Sequence, residues 1–313
     1  MQTAVSTNPA LEAVSQNRKA VETELRQARG LYLPQVDITA GYGPEWTNDP
    51  VTRLPGNNDT VSFDRVDASA VLSQRLFDGF EAAAEVERQK ARVISAARRV
   101  TDNSEVIGLD AVGAYLEVLR QRELVDLTEA LVDFHLEIQD MIQERVDSGA
   151  SGSSDLSQTN VRLNRSRAAL SRQMNQLRDA EANYERVVGM MPGSLMRPDF
   201  PLQALPADLD GAVSLAASEN PKIAILDADI EVAQAEVRKS DSAFYPKLFL
   251  EAETRYGDDI DAVRGWEWQS RIMVRLRWNL YRGGIDQATY REFLYRLNQK
   301  RAERVETYRQ AVE

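Results

Sequence analysis

The chain contains no cysteine and a single histidine. No disulfide framework and no thiolate zinc site can form, and the cytosol and an oxidising compartment stay equally open. Long apolar runs are missing too. Charged residues make up 28% of the 313 positions and mean hydropathy is −0.44, so no window resembles the roughly 20 apolar residues of a membrane-spanning helix. That excludes a helical membrane protein but not a β-barrel, whose alternating strands barely register in hydropathy. Basic residues are outnumbered by acidic ones, 38 to 49. A net charge of −11 argues against a nucleic-acid binder, which would carry a clustered basic face. No basic stretch followed by an apolar core opens the chain, and both ends fall inside helical patterns without a stop signal. The expectation is a processed or truncated piece of a longer protein.

Catalytic chemistry is also missing. His135 has no cysteine, serine motif or metal-spaced partner around it, and reads as a structural or surface histidine. The Gly/Ser run from Ser148 to Ser154 lacks the Gly-Lys-Ser/Thr ending of a phosphate loop. Asp258, Asp259 and Asp261 miss the spacing and closing Glu of an EF-hand, so a solvated loop is expected. The many carboxylates lie on helix faces, where pairing with Arg or Lys four residues away explains them. An enzyme, a cofactor site and a metal site are not expected.

What the chain does have is an internal duplication, roughly 210 residues apart, and such repeats decide the architecture. Asn8-Pro9 opens an Ala/Glu/Arg-rich stretch ending in Leu31-Tyr32-Leu33-Pro34-Gln35-Val36. Asn220-Pro221 opens another, ending in Phe244-Tyr245-Pro246-Lys247-Leu248, with the same Pro-to-Pro spacing of 25 residues. Both stretches, 10–28 and 222–241, are helical by composition. The prolines end them, because the residue before a proline is pushed to extended geometry. Each copy then runs through two alternating segments, about 35–43 and 62–77, then 247–256 and 266–281. Val36, Ile38, Ala40 and Tyr42 oppose Gln35, Asp37 and Thr39. Trp266, Trp268, Ile272, Val274, Leu276, Trp278 and Leu280 oppose Glu267, Gln269, Arg271, Arg275, Arg277 and Asn279. Such a face with three tryptophans suits a lipid-facing barrel wall, and equally a large soluble antiparallel sheet with one buried face. Residues 44–62 and 257–265, rich in Pro, Gly, Asn and Asp, read as the connecting loops.

The copies leave through Leu76-Phe77-Asp78-Gly79 and Leu280-Tyr281-Arg282-Gly283-Gly284. A proline-free helix is predicted over about 80–147, roughly 100 Å long at 1.5 Å per residue. Leu109, Val112, Leu116 and Leu119, then after a slip Leu124, Leu127, Leu131, Phe134, Ile138 and Met141, step three and four apart, which predicts a coiled-coil seam. Ser148 to Ser154 form the turn, and Asp155 is expected to cap the return helix, about 155–190. That helix carries Leu156, Leu163, Leu170, Leu177 and Tyr184 at strict sevens. It is only half the length of its partner and cannot cover it alone.

In this order the quoted motifs resemble the TolC-type outer-membrane channel family. The Leu31–Val36 lead-in and the two exits look like its recurring strand boundaries, and Arg145-Val146-Asp147-Ser148-Gly149 through Ser154-Asp155-Leu156-Ser157-Gln158 looks like its periplasmic hairpin tip. The LYLPQVD and GYGPEW stretches look especially like the branch serving type I secretion of adhesins or toxins. The resemblance covers essentially the whole chain. It implies a mainly α fold with β: long antiparallel coiled-coil hairpins plus four β-strands per protomer, closing as a homotrimer into a 12-stranded barrel and an α-helical barrel. It implies a first repeat at 1–191, a connector at 192–219 and an incomplete second repeat at 220–313.

The function implied is a passive exit duct in the outer membrane of a Gram-negative bacterium, with a periplasmic helical tunnel, serving type I secretion or multidrug efflux. The implied partners are outer-membrane lipid, a periplasmic adaptor protein and an inner-membrane ABC or RND transporter, with no nucleic acid. The adaptor would meet Arg145, Ser148, Gly149, Ser153, Ser154 and Asp155. Pro34, Gly79, Pro246 and Gly283 would mark the barrel–tunnel boundary, and Arg271, Arg275 and Arg277 would face the lumen. The second tip, where the family places its gate, falls beyond Glu313, so no gate residue is assigned. The competing expectation is a soluble coiled-coil scaffold with a β-domain and no transport role.

Overall fold

The computed structural model describes residues 2–50, 52–55, 60–199 and 206–312. In chain order these form α1 (Gln2–Thr7), α2 (Pro9–Gly30), β1 (Gln35–Thr47), β2 (Val61–Phe77), α3 (Glu81–Asp147) and α4 (Ser153–Val188). There follow α5 (Leu209–Glu219), α6 (Pro221–Asp241), a 3₁₀ turn (Ser242–Phe244), β3 (Lys247–Asp258), β4 (Trp266–Arg277) and α7 (Ile285–Val312). Two compact units result, and they do not follow the sequence repeats. One holds residues 1–17 and 97–221, the other 18–96 and 222–313.

In the first unit α3 and α4 run antiparallel. The α4 seam is the predicted column: Leu163 is buried and Leu156, Leu170, Leu177 and Tyr184 are half-buried, interleaved with buried Thr159, Ser166, Ala180 and Val187. The α3 seam is not the predicted one. Ala111, Ala114, Val118, Gln121, Val125 and Val132 are buried, whereas Leu109 is 71% and Leu127 66% exposed. α3 carries two apolar stripes, and α4 covers the one built of small side chains, which let helix axes approach closely. Two polar layers cross the seam: Gln139 donates to Asn160 Oδ1 (2.7 Å), and Gln173 donates to Gln121. Beyond the end of α4 the buried Ala4 of α1 packs on Ala111, Val187 and Val188. The short helices thus follow one another along α3. Asn8 Oδ1 accepts from the Ala10 N–H (2.9 Å), so Asn8-Pro9 is an N-cap followed by a helix-starting proline.

The second unit packs parts of α2, α3, α6 and α7 around alanine. Ala28, Ala82, Ala84, Ala91, Ala96, Ala228, Ala233 and Ala235 are buried, and Leu297 closes a small cluster with Ala233 and Val237. The sheet is an antiparallel meander in the order β1-β2-β3-β4, leaving β1 and β4 as edges. Two boundaries move from expectation. β1 runs on through Gly43-Pro44-Glu45-Trp46, paired with Ser62–Arg65 of β2, because an edge strand tolerates a proline that lacks an N–H. β4 stops at Arg277, since its last partner is Lys247 and Pro246 bars β3 from beginning any earlier. Trp278 then donates its indole N–H to the Phe244 carbonyl (3.2 Å).

Candidate channel wall and docking tip

Strand register sorts the sheet into two chemically distinct faces. One carries Val36, Ile38, Ala40 and Tyr42 of β1, Val66, Ala68, Ala70 and Leu72 of β2, Leu248, Leu250, Ala252 and Tyr256 of β3, and Trp266, Trp268, Ile272, Val274 and Leu276 of β4. The two edge strands of this face are bare: Ile38 and Ile272 are each 77% exposed and Trp266 72%. In water a bare apolar area this wide marks a surface meant for another apolar phase. Trp46, Trp266 and Trp268 stand at its loop end and Trp278 at its helix end; these are all four tryptophans of the chain. Trp266 and Leu276, the first and last residues of β4 on this face, lie ten positions apart, which is about 33 Å along a strand and about 25 Å vertically at a 40° tilt. That matches the height of the apolar band of an outer-membrane barrel.

The opposite face is charged and internally paired. Arg271 pairs with Glu253, Arg275 with Glu251 (2.7 Å), and Arg277 with Glu251 (3.1 Å) while lying over the Phe249 ring. Arg65 bridges Glu45 (3.0 Å) and Asp67 (2.9 Å) on the same side. The three arginines singled out from the sequence share one face and pair with two β3 carboxylates, Glu251 and Glu253, that alternation alone did not match to them.

The four boundary residues lie where strands meet helices, and the structure knits the first exit to the second lead-in. Gly79 has φ +70°, and a Cβ there would sit 2.8 Å from Tyr245 Cβ and 2.9 Å from the Ser242 carbonyl oxygen. Phe80 stacks edge-on against both Phe77 (5.4 Å) and Tyr245 (6.1 Å). The buried Asp78 carboxylate accepts the Ala82 N–H (2.8 Å) and so caps α3. Pro34 and Pro246 immediately precede β1 and β3. Gly283 and Gly284 both have positive φ, 62° and 82°, and turn the chain into α7.

Below the sheet sits a polar cluster that sequence reasoning missed. Glu85 accepts from Arg88 (2.7 Å), Gln89 (2.9 Å) and Lys239 (2.9 Å). Burial pushes its carboxyl up, but these donors outweigh it and hold the group at about 2. Arg88 also faces Glu236 (3.7 Å), and Lys247 pairs with Glu81. The only signal in the sequence was charge on the Ala-rich faces of two helices far apart in the chain.

The tip residues come together as expected, with one correction. Gly149 has φ +76° and donates to the Val146 carbonyl (3.0 Å), while Ala150 donates to the Arg145 carbonyl (2.8 Å); this is a Schellman ending of α3. Asp155 does not cap α4. The cap position is Gly152, with no side-chain bond, and Asp155 instead lies in the first turn and accepts from Ser151 Oγ (2.6 Å). Its charge there favours the helix N-terminus, and the Gly-Ser-Ser lead lets α4 begin two residues earlier. Ser148, Ser153, Ser154 and Arg145 are exposed.

Other sequence candidates stay structural. Asp259 closes its own loop by accepting the Gly265 N–H (2.9 Å), and no group of metal-ligating side chains occurs among the described residues. His135 lies half-buried against Phe134.

One lipid-compatible face, one charged face and two open edges are the features of a sheet that forms part of an outer-membrane β-barrel wall, and the same chain carries long packed helices. The chain belongs to the outer membrane efflux protein family, whose sequence profile matches residues 1–190. It is therefore an outer-membrane protein and not an enzyme, and the soluble-scaffold alternative falls. It is 26% identical over 282 residues to the outer membrane efflux protein BepC of Brucella suis, covering 88% of this chain and 58% of that one. It is 24% identical over 303 residues to the alkaline protease secretion protein AprF of Pseudomonas aeruginosa, covering 94% and 63%. The chain thus spans less than two thirds of these relatives' lengths. Its fold is that of the Campylobacter jejuni CmeC outer membrane channel, with a TM-score of 0.82 at 14% identity over 97% of this chain and 66% of that one.

Proposed function

We propose that the chain forms the wall of a passive exit duct in which three copies each give four strands to one 12-stranded barrel. The observation that carries this is the bare apolar face with tryptophan at its loop rim and Trp278 just past its helix end, backed by a charged, largely paired face. A four-stranded sheet with two open edges is a liability in lipid, and closure across copies removes the edges. Arg271, Arg275 and Arg277 then line the water-filled lumen. The exposed Leu/Phe/Met stripe of α3, which α4 leaves uncovered, supplies helix-to-helix contacts around a periplasmic tunnel.

Residues 1–191 and 220–313 are read as two copies of one wall element, joined by the connector at 192–219. The tip formed by Arg145, Ser148, Gly149, Ser153, Ser154 and Asp155 docks a periplasmic adaptor fed by an inner-membrane ABC or RND transporter. The cargo is a secreted protein, as the name of the protease secretion protein AprF says of that protein, or a small molecule. Reconstitution into a planar lipid bilayer tests the duct. Discrete conductance steps from a trimeric species are expected, and a lipid-inserted protein that never conducts would contradict it.

A further inference from the structure

The two edges of the sheet are not level. The hydrogen-bonded register carries Gln35 of β1 through Ser73 and Glu251 to Met273 of β4. β4 continues four residues past that row, to Arg277. At the other end the last row of four is Tyr42, Val66, Asp258 and Trp266, and β1 continues five residues past it, to Thr47. The sheet is therefore a parallelogram, skewed by four to five residues between its edges.

Resting on the trimeric-barrel reading, we infer that β4 of one copy pairs antiparallel with β1 of the next at an offset of four residues, seating Asp37 against Arg275. A closed barrel requires such a stagger, and three equal copies must share it equally. The offset must be even, because an odd slip would turn the apolar face of one copy inward. With 12 strands, offsets of two, four and six correspond to tilts of about 19°, 35° and 46°, taking 3.3 Å per residue and 4.8 Å between strands. Only four matches the skew built into the sheet. Pairing without offset would leave both Gly43–Thr47 and Val274–Arg277 without ladder partners inside the membrane, which lipid does not tolerate.

The side chains agree with this register. It sets Val36 against Leu276, Ile38 against Val274, Ala40 against Ile272 and Trp46 against Trp266 on the lipid side. On the polar side three arginines share two carboxylates, Glu251 and Glu253. The exposed Asp37 has no hydrogen-bond or ion-pair partner among the described residues. A surplus cation at one edge thus meets an unpaired carboxylate at the other.

Because the natural chain has no cysteine, paired cysteines read the register directly in isolated outer membranes. Ile38→Cys with Val274→Cys, and Thr39→Cys with Met273→Cys, test the offset of four, and one of the two is a non-hydrogen-bonded pair. Ile38→Cys with Ser270→Cys tests no offset, and Ile38→Cys with Leu276→Cys tests six. Within one copy these positions are three strands apart, beyond disulfide reach. Covalent trimers on a non-reducing gel are expected from an offset-four pair alone. Cross-linking by either other pair with both offset-four pairs silent overturns the register, as does an intact trimer that no pair cross-links. Loss of the trimer itself in the cysteine-free protein would instead overturn the barrel reading beneath it.

Discussion

Replacing Gly79 with alanine probes whether the joint between the two repeats holds the sheet on its helices. The residue has φ +70°, and a Cβ there would meet Tyr245 Cβ at 2.8 Å and the Ser242 carbonyl oxygen at 2.9 Å. The left-handed conformation costs about 1–2 kcal/mol for an L side chain. Overpacking against backbone that cannot swing aside adds about 1–3 kcal/mol, so the total is about 2–5 kcal/mol. Gly149 is the internal control, with φ +76° and no atom within 4 Å of the place a Cβ would take, so Gly149→Ala carries only the first cost, about 1–2 kcal/mol. Thermal unfolding of the detergent-solubilised protein, followed by tryptophan emission, compares the two. Gly79→Ala should melt about 1.5–5 °C below Gly149→Ala, from the steric difference alone. Equal midpoints would refute the argument that Gly79 is held by its contact with Ser242 and Tyr245 rather than by backbone angle.

Glu85 makes stability depend on acid. Its folded value of about 2 lies below the ordinary 4.5, so its contribution is complete above about pH 4.5 and is lost as pH falls toward 2, with a ceiling of about 3 kcal/mol. Glu85→Gln should flatten the pH dependence of the melting temperature between pH 5 and pH 3 (roughly the window of that titration), and an unchanged slope would count against the cluster. Gln173→Leu should cost about 1–3 kcal/mol by stranding the Gln121 side-chain carbonyl in the seam, and adding Gln121→Leu should recover most of it; additive losses in the double variant would contradict a shared polar layer. At the tip, Ser154→Trp and Arg145→Glu should abolish export while the trimer survives, and wild-type export from both would remove the docking role.

Alternation made the strands legible, because each side chain's face follows from its parity alone, and the Trp266–Arg277 run departs from it only at Ser270 and Met273. Strand ends were harder. Pro44 looked like loop chemistry, and only its place on an edge strand shows why the ladder continues through it. Periodicity found a stripe on α3 but not which stripe α4 covers. Leu109 and Leu127 are larger than Ala111 and Val118, yet closeness of approach favours the small residues, and sequence spacing carries no partner identity. Asp155 has the right residue type for a cap, but the Schellman turn at Gly149 and the Gly152 lead start the helix before it. The Glu85 cluster joins residues more than 150 positions apart, and nothing local announces it. The tip was the most legible part, since its glycine and serine content answers to backbone geometry within a few residues.

The central claim is that the bare face of the sheet meets lipid. Trp46, Trp266 and Trp268 lie on that side and Trp278 follows the last paired residue of β4, so the intrinsic fluorescence is weighted toward that face without a label. In vesicles containing brominated lipids the emission should be strongly quenched, while an aqueous quencher such as iodide should have little effect. Efficient quenching by iodide with no response to brominated lipid would contradict the account.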